Sequence, residues 1–436
     1  MIEWKEYKLG EIGSFNNGVN KNKSSFGHGF PFVNLMDIFD KDRIDYIPHG
    51  LVDVNQDELN RYSIKDGDIL FVRSSVKLDG VGKVCAVTKD LANTIYSGFI
   101  IRFRQPNLIL DKIFSSYYLN SSPIRTQVIS KGTLSANSNV NQESLKTIQI
   151  RIPSIPEQRQ IAHILITNDA VIEETQAAIA KYKAIKQGML HDLFTRDIDI
   201  ITGKLRPKCE DAPELYKESK LGMVPKEWEV DMLGNVCDVT SSKRIYANEY
   251  DDFGIPFYRS LEIILKSKNQ EIETTLYISN EKYDAIEKQF GVPQYGDILI
   301  TSVGTLGISY RVSKQDLFYF KDGNLIWFRN FSDKEYSKFL QFTLDELIRK
   351  QFDKITIGTS QKAFTIDKLK KLDIYVPEEK EYKVICERVE NINQKLHAEQ
   401  NYLHKLQHLK AGLMGDLLSG RKKVTVPEEV LTQTEN

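Results

Sequence analysis

The sequence predicts an α+β protein built as a tandem duplication, each copy an α/β globular module followed by one long helix. Three observations predict it: anchors that return in order about 224 residues later, short strand-type runs inside each copy, and a seven-residue apolar period at the end of each copy.

The anchors decide the organisation. Trp4-Lys5-Glu6-Tyr7-Lys8-Leu9-Gly10 returns as Trp228-Glu229-Val230-Asp231-Met232-Leu233-Gly234, at an offset of 224. Pro31-Phe32-Val33 returns as Pro256-Phe257-Tyr258, and Asp66-Gly67-Asp68-Ile69-Leu70 as Tyr295-Gly296-Asp297-Ile298-Leu299. Ser97-Gly98 matches Asp322-Gly323, Lys131-Gly132-Thr133 matches Ile357-Gly358-Thr359, and Leu145-Lys146 matches Leu369-Lys370. Gly188-Met189-Leu190 closes the series against Gly412-Leu413-Met414. One such pair arises by chance; an ordered set at offsets of 224 to 229 does not.

Within each copy the runs Ile69-Leu70-Phe71-Val72 and Ile298-Leu299-Ile300 follow Gly-Asp turns and read as strands, as do Phe99–Phe103 and Leu325–Phe328. Helical stretches fall at Lys112–Leu119 and Lys334–Lys350. Pro156-Glu157-Gln158-Arg159 opens a long helix, with Pro at its start and an acid in its first turn. Along it Ile161, Asn168, Thr175, Tyr182 and Met189 recur every seven residues, with Ile164, Val171, Ala178 and Ile185 as the companion row. In the second copy the rows are Ile385, Ile392, Glu399, Leu406, Leu413 and Val389, Leu396, Leu403, Lys410, Leu417. A heptad kept this long predicts a helix partner, and polar members such as Asn168 suit a fixed register. The predicted division is therefore a module at 1–156, a helix at 157–195, a surface linker at 196–227, a module at 228–378, a helix at 379–418 and a flexible tail at 419–436.

Composition agrees with a globular chain, at 41% hydrophobic and 27% charged residues. No apolar run reaches membrane-spanning length and the start lacks a signal-peptide pattern, so a cytoplasmic location is expected. Cys85, Cys209, Cys237 and Cys386 show no zinc or redox spacing and read as reduced thiols. The net charge is −1, yet residues 1–60 carry 6 Lys/Arg against 10 Asp/Glu while residues 61–151 carry 13 against 6. That second stretch can present a surface for a polyanion.

Catalytic patterns are missing. Around Gly82-Lys83, Lys77 stands where a phosphate-binding loop needs its first glycine, and Val84 where it needs Ser or Thr. The chain has no Pro-Pro of the kind found in amino-methyltransferase motifs, and its Glu-x-Lys triplets lie in unrelated contexts. His404 and His408 are four apart, but Lys405 breaks the metalloprotease pattern, and both read as solvated helix residues. No catalytic residue and no metal ligand is expected.

Other residues resemble a known family. Pro153-Ser154-Ile155-Pro156-Glu157-Gln158-Arg159-Gln160-Ile161-Ala162 resembles the entry to the first long helix of the DNA-specificity subunits of type I restriction–modification enzymes. Lys186-Gln187-Gly188-Met189-Leu190 and Lys410-Ala411-Gly412-Leu413-Met414 resemble the ends of their two helices, and Leu221–Trp228 the start of their second module. The second helix entry, Pro377-Glu378-Glu379-Lys380-Glu381, departs by lacking the Gln-Arg pair. The resemblance implies that each module is a target-recognition domain reading half of an asymmetric bipartite site on double-stranded DNA. It implies that the helices pair as an antiparallel coiled coil, set the spacing and dock two modification subunits. S-adenosylmethionine would belong to those subunits, ATP and magnesium to restriction or motor subunits, and no cofactor to this chain.

On that resemblance, the DNA-contact candidates in the first module are Arg73, Ser74, Ser75, Lys77, Lys131, Thr133, Asn137 and Asn139. In the second they are Thr301, Ser302, Thr305, Thr359, Ser360, Gln361 and Lys362. Cations and hydroxyls suit phosphates and guanine, and amides suit adenine. Two alternatives stay open at this point: an orphan DNA-binding chain without a catalytic partner, and a duplicated protein-binding scaffold.

Overall fold

A computed structural model describes residues 4–132, 138–196, 198–200, 202–357 and 362–426. The chain forms two compact units, Met1–Ala177 with Gln400–Asn436, and Ala178–Glu399.

Both units follow one plan. The main sheet of the first has strand order Ser14–Asn17, Ile100–Arg104, Ile69–Val72, Val84–Val87, Arg43–Ile44. The second repeats it as Asp238–Thr240, Leu325–Arg329, Ile298–Thr301, Ser309–Arg311, one strand shorter. A small sheet centred on Phe26–Val33 pairs in parallel with Ile95–Tyr96, and its counterpart Ile255–Tyr258 pairs in parallel with Tyr319–Phe320. In each copy of the repeat the first strand closes against the last: Lys5 lies opposite Ile152, and Glu229 opposite Val376. Both members of each pair sit 224 residues apart from their equivalents, so the sequence repeat is a repeat of topology.

The Gly-Asp anchors explain how the central strands begin. Gly67 and Gly296 have φ of +84° and +92°, a region where a side chain is strained. The aspartate after each accepts the backbone N–H three residues back, from Lys65 and from Gln294. Strands Ile69–Val72 and Ile298–Thr301 then run fully buried.

The helices are Ile155–Arg196 and Glu379–Leu417. In the first unit, Leu417 and Leu418 share one core with Ile161, Ala162 and Leu165. Lys410, earlier on its helix, pairs with Asp169, later on the other, at 2.7 Å. In the second unit, Leu193 and Phe194 pack in the cluster of Ile385, Cys386 and Val389. Within each unit the helix segments are therefore antiparallel.

All ten residues predicted for the second helix's two rows are buried or half-buried. The first helix needs a correction. Its row Ile161, Asn168, Thr175, Tyr182, Met189 faces inward, but the companion row is Leu165, Ile172, Ile179, Lys186, Leu193. The predicted companion lies one residue earlier, and Ile185 of that row is 45% exposed. A step of four and a step of three both fit an apolar stripe, and only the packed partner selects between them.

The segment read as a surface linker is structured. Tyr216–Ser219 and Gly222–Pro225 form a hairpin, and Ile198 and Val224 enter the second unit's core. Arg206 pairs with Glu227 and with buried Glu381, which also accepts the Trp228 indole N–H at 3.0 Å. The described part of the tail returns Val424 to the first unit's core. All four cysteines are free, and burial pushes the Cys85 and Cys386 thiols up to about 12. Among the described residues no helix is long and apolar enough to cross a membrane.

Asn168 is 8% exposed and its Oδ1 has no hydrogen-bond partner among the described residues. Such an oxygen costs about 1–3 kcal/mol. Replacing it, as Asn168→Leu, is expected to raise the unfolding free energy by about 1–2 kcal/mol in urea titrations. A lower midpoint would show that the amide contributes to stability.

Candidate nucleic-acid interface

Three segments separated in sequence meet at the end of the central strand in the first unit. Arg73 follows the strand Ile69–Val72; its N–H donates to Phe99 O and its guanidinium to Gly98 O at 3.1 Å. On one side Ser74 and Ser75 pair with Asn139 and Ser138. On the other, Gly98 N–H donates to Val19 O. A Cβ on Gly98 would stand 1.9 Å from Asn20 Oδ1, so the Asn20 side chain lies directly against this glycine. Lys77 and Lys131 are exposed, and the Lys77 N–H donates to Ser75 Oγ. Gly132 lies close to Asn139 O, which brings the Lys131 turn to the same junction.

The second unit repeats the junction with other side chains. Ser302 N–H donates to Asn324 O, and Phe364 N–H to Ser302 O. These match Arg73 to Phe99 and Val140 to Arg73 in the first unit. Val303 bridges to Ala363, as Ser74 does to Asn139. Arg244 of the third segment pairs with Asp322 at 2.7 Å, beside Gly323.

Arg73, Ser74, Ser75, Lys77, Lys131 and Asn139 thus gather at the first junction, while in the second unit two of the predicted side chains turn inward. Thr301 is the last residue of the strand and is fully buried; its hydroxyl accepts the Ile308 N–H at 3.0 Å. Ser302 is 2% exposed and its hydroxyl donates to Gly323 O. Both shape the turn from inside, because the strand runs one residue further than its apolar letters indicate. Thr305 is exposed on that turn, and exposed Lys362 pairs with Asp353 at 3.2 Å. Thr133, Asn137, Thr359, Ser360 and Gln361 lie outside the described residues.

A family described as "Type I restriction modification DNA specificity domain" matches residues 1–182 and 225–408, one match on each copy. The chain belongs to this specificity family. It is 26% identical over 337 residues to the type I restriction enzyme MjaVIII specificity subunit of Methanocaldococcus jannaschii, covering 76% of this chain and 75% of that one. It is 24% identical over 436 residues to the putative MjaX specificity subunit of the same organism, covering 97% and 94%. The crystal structure of the type I restriction–modification S subunit from M. genitalium superposes with a TM-score of 0.56 at 16% identity, over 95% of this chain and 96% of that one. That likeness shows a shared fold.

The sequence reading of this specificity chain missed the third segment of each junction. Asn20 and Lys23 are exposed in the first unit, and Lys243 and Arg244 in the second. A signal was present: both stretches are polar and basic, and they stand at the 224-residue offset. It also missed Val76 and Phe99, which are 83% and 57% exposed beside Arg73.

Thr301→Val keeps the shape but leaves the Ile308 N–H without an acceptor. It is expected to lower stability by about 1–3 kcal/mol in urea titrations. Unchanged stability would show that the hydroxyl does not hold the turn.

Proposed function

We propose that this chain is the sequence-reading subunit of a type I restriction–modification enzyme, each unit reading one half of an asymmetric bipartite site on double-stranded DNA. One observation carries the reading: the same three-segment junction recurs in both units with different side chains. Arg73 and Phe99 of the first unit correspond to Ser302 and Asn324 of the second. A repeated frame with altered contact groups suits two half-sites of different sequence.

The chemistry fits DNA. Arg73, Lys77 and Lys131 suit phosphates or the guanine edge; Asn139 and Asn20 suit adenine; Phe99 and Val76 suit thymine methyls. Thr305, Lys362 and Arg244 are the corresponding groups of the second unit. Thr133, Asn137, Thr359, Ser360 and Gln361 remain candidates on sequence grounds, Thr301 and Ser302 supporting residues. The two helices set the distance between half-sites and dock two modification subunits. Those subunits bring S-adenosylmethionine and methylate adenine; restriction subunits bring ATP and magnesium. Specificity subunits are non-catalytic, and this chain contributes recognition only, in the cytoplasm.

Replacing residues 1–152 with the module of a relative should change one half of the methylated motif, read by long-read mapping of methylated adenines in cells carrying the modification subunit. A change in both halves would refute independent reading.

In the reconstituted complex, Arg73→Ala and Lys77→Ala are each expected to weaken DNA binding and lower the salt slope by about one if the contact is to phosphate. Phe99→Ala should instead relax one base position at a cost of about 1–3 kcal/mol. Wild-type affinity, salt slope and motif in all three would remove the junction from the DNA surface.

A further inference from the structure

His404 and His408 stand one turn apart on the second long helix. Both side chains are exposed and lie outside the buried rows, which pass through Leu403, Leu406 and Lys410. Their Nε2 atoms converge to 3.0 Å, with the rings edge-to-face at 4.3 Å between centroids. As free imidazoles the two share a hydrogen bond between these nitrogens; with neither nitrogen carrying a proton, a pair this close on one turn can hold a single ion as a chelate.

The separation tests this. Metal–nitrogen bonds of about 2.0–2.1 Å to two nitrogens 3.0 Å apart subtend roughly 90–95° at the ion. That is the cis angle of a tetragonal or octahedral site, the preference of Cu²⁺ and Ni²⁺; a tetrahedral ion needs about 3.3 Å. Imidazole is a good ligand for these ions. Among the described residues no cluster of three or more His, Cys, Asp or Glu is placed to hold a metal, so the pair itself would supply two ligands.

We propose that His404 and His408 form a two-histidine site for a divalent transition-metal ion of Ni²⁺ or Cu²⁺ geometry. Both nitrogens must be unprotonated to bind, so acidification releases the ion. The chelate exists only while the turn is helical, so occupancy stabilises this stretch of helix. The site does not depend on the DNA-reading assignment.

The test is calorimetric titration of Ni²⁺ into the full-length chain, free of affinity tags. One tight class of site per chain is expected. His404→Ala and His408→Ala should each weaken it on the order of 10²-fold, the gain that linking two ligands supplies. Ni²⁺ should raise the melting temperature of the wild-type chain and leave that of either variant unchanged, which separates chelation from loss of fold. His191→Ala, an exposed histidine on the other long helix, should bind as wild type. Wild-type affinity and stoichiometry in both single variants would overturn the proposal. So would transfer of the loss to His191→Ala, or a Zn²⁺ affinity far above that for Ni²⁺.

Discussion

Neither copy of the repeat completes its own core. The first unit is closed by Leu417 and Leu418, each 5% exposed, which come from the end of the second copy's helix. The second is closed by Leu193, Phe194 and Ile198 from the end of the first copy's helix and the segment after it. An apolar helix face must be buried against something, and an antiparallel pair offers the start of one helix the end of the other. Each unit therefore depends on chain from both copies. Removing either helix end would uncover the apolar side chains it packs against.

The helices are tied to the modules by polar links that the two copies make with different residues. Asp111 and Asp333 cap the helices Lys112–Leu119 and Lys334–Lys350. In the first unit, fully buried Gln158 accepts the Asp111 N–H and donates to Ile109 and Pro153 carbonyls. In the second, Tyr382 stands at the equivalent place and its hydroxyl donates to the Asp333 carboxylate. Burial opposes ionisation of Asp333, but that bond and the Glu335 N–H outweigh it and hold the carboxyl low. The missing Gln-Arg pair at the second helix entry is thus a change of chemistry, while the link itself persists.

The same divergence runs through the sheets. Buried Asp68 is held by a two-pronged contact from Arg104, at 2.6 Å on each prong. Its counterpart Asp297 accepts the Trp327 indole N–H at 2.8 Å instead, and burial pushes its carboxyl up. Near the first helix, burial and the bond to Asp169 raise the Tyr117 phenol, while Lys410 completes that cluster. A buried carboxylate must find a donor, but which donor is open, so duplicated scaffolds can drift in their polar interiors while keeping topology.

The sequence alone determined the duplication, the central strands, the extent of both long helices and the second helix's rows. All of these rest on local periods and turn residues, which neighbours in the chain impose directly. It also marked the stretches after Val72 and near Asn139 as candidate contact segments, through their hydroxyls, amides and cations. The tertiary structure decided that these stretches meet, because β-pairing across more than sixty residues leaves no trace in either stretch. It decided that Leu165 is fully buried while Ile164 is only half-buried at the same core, and that Thr301 turns inward. It also decided that the charged stretch at 196–227 folds onto a core, where Ile198 and Val224 supply apolar contacts too sparse to show as a pattern. In each case the outcome was set by which surface lay opposite, and that surface came from a distant part of the chain.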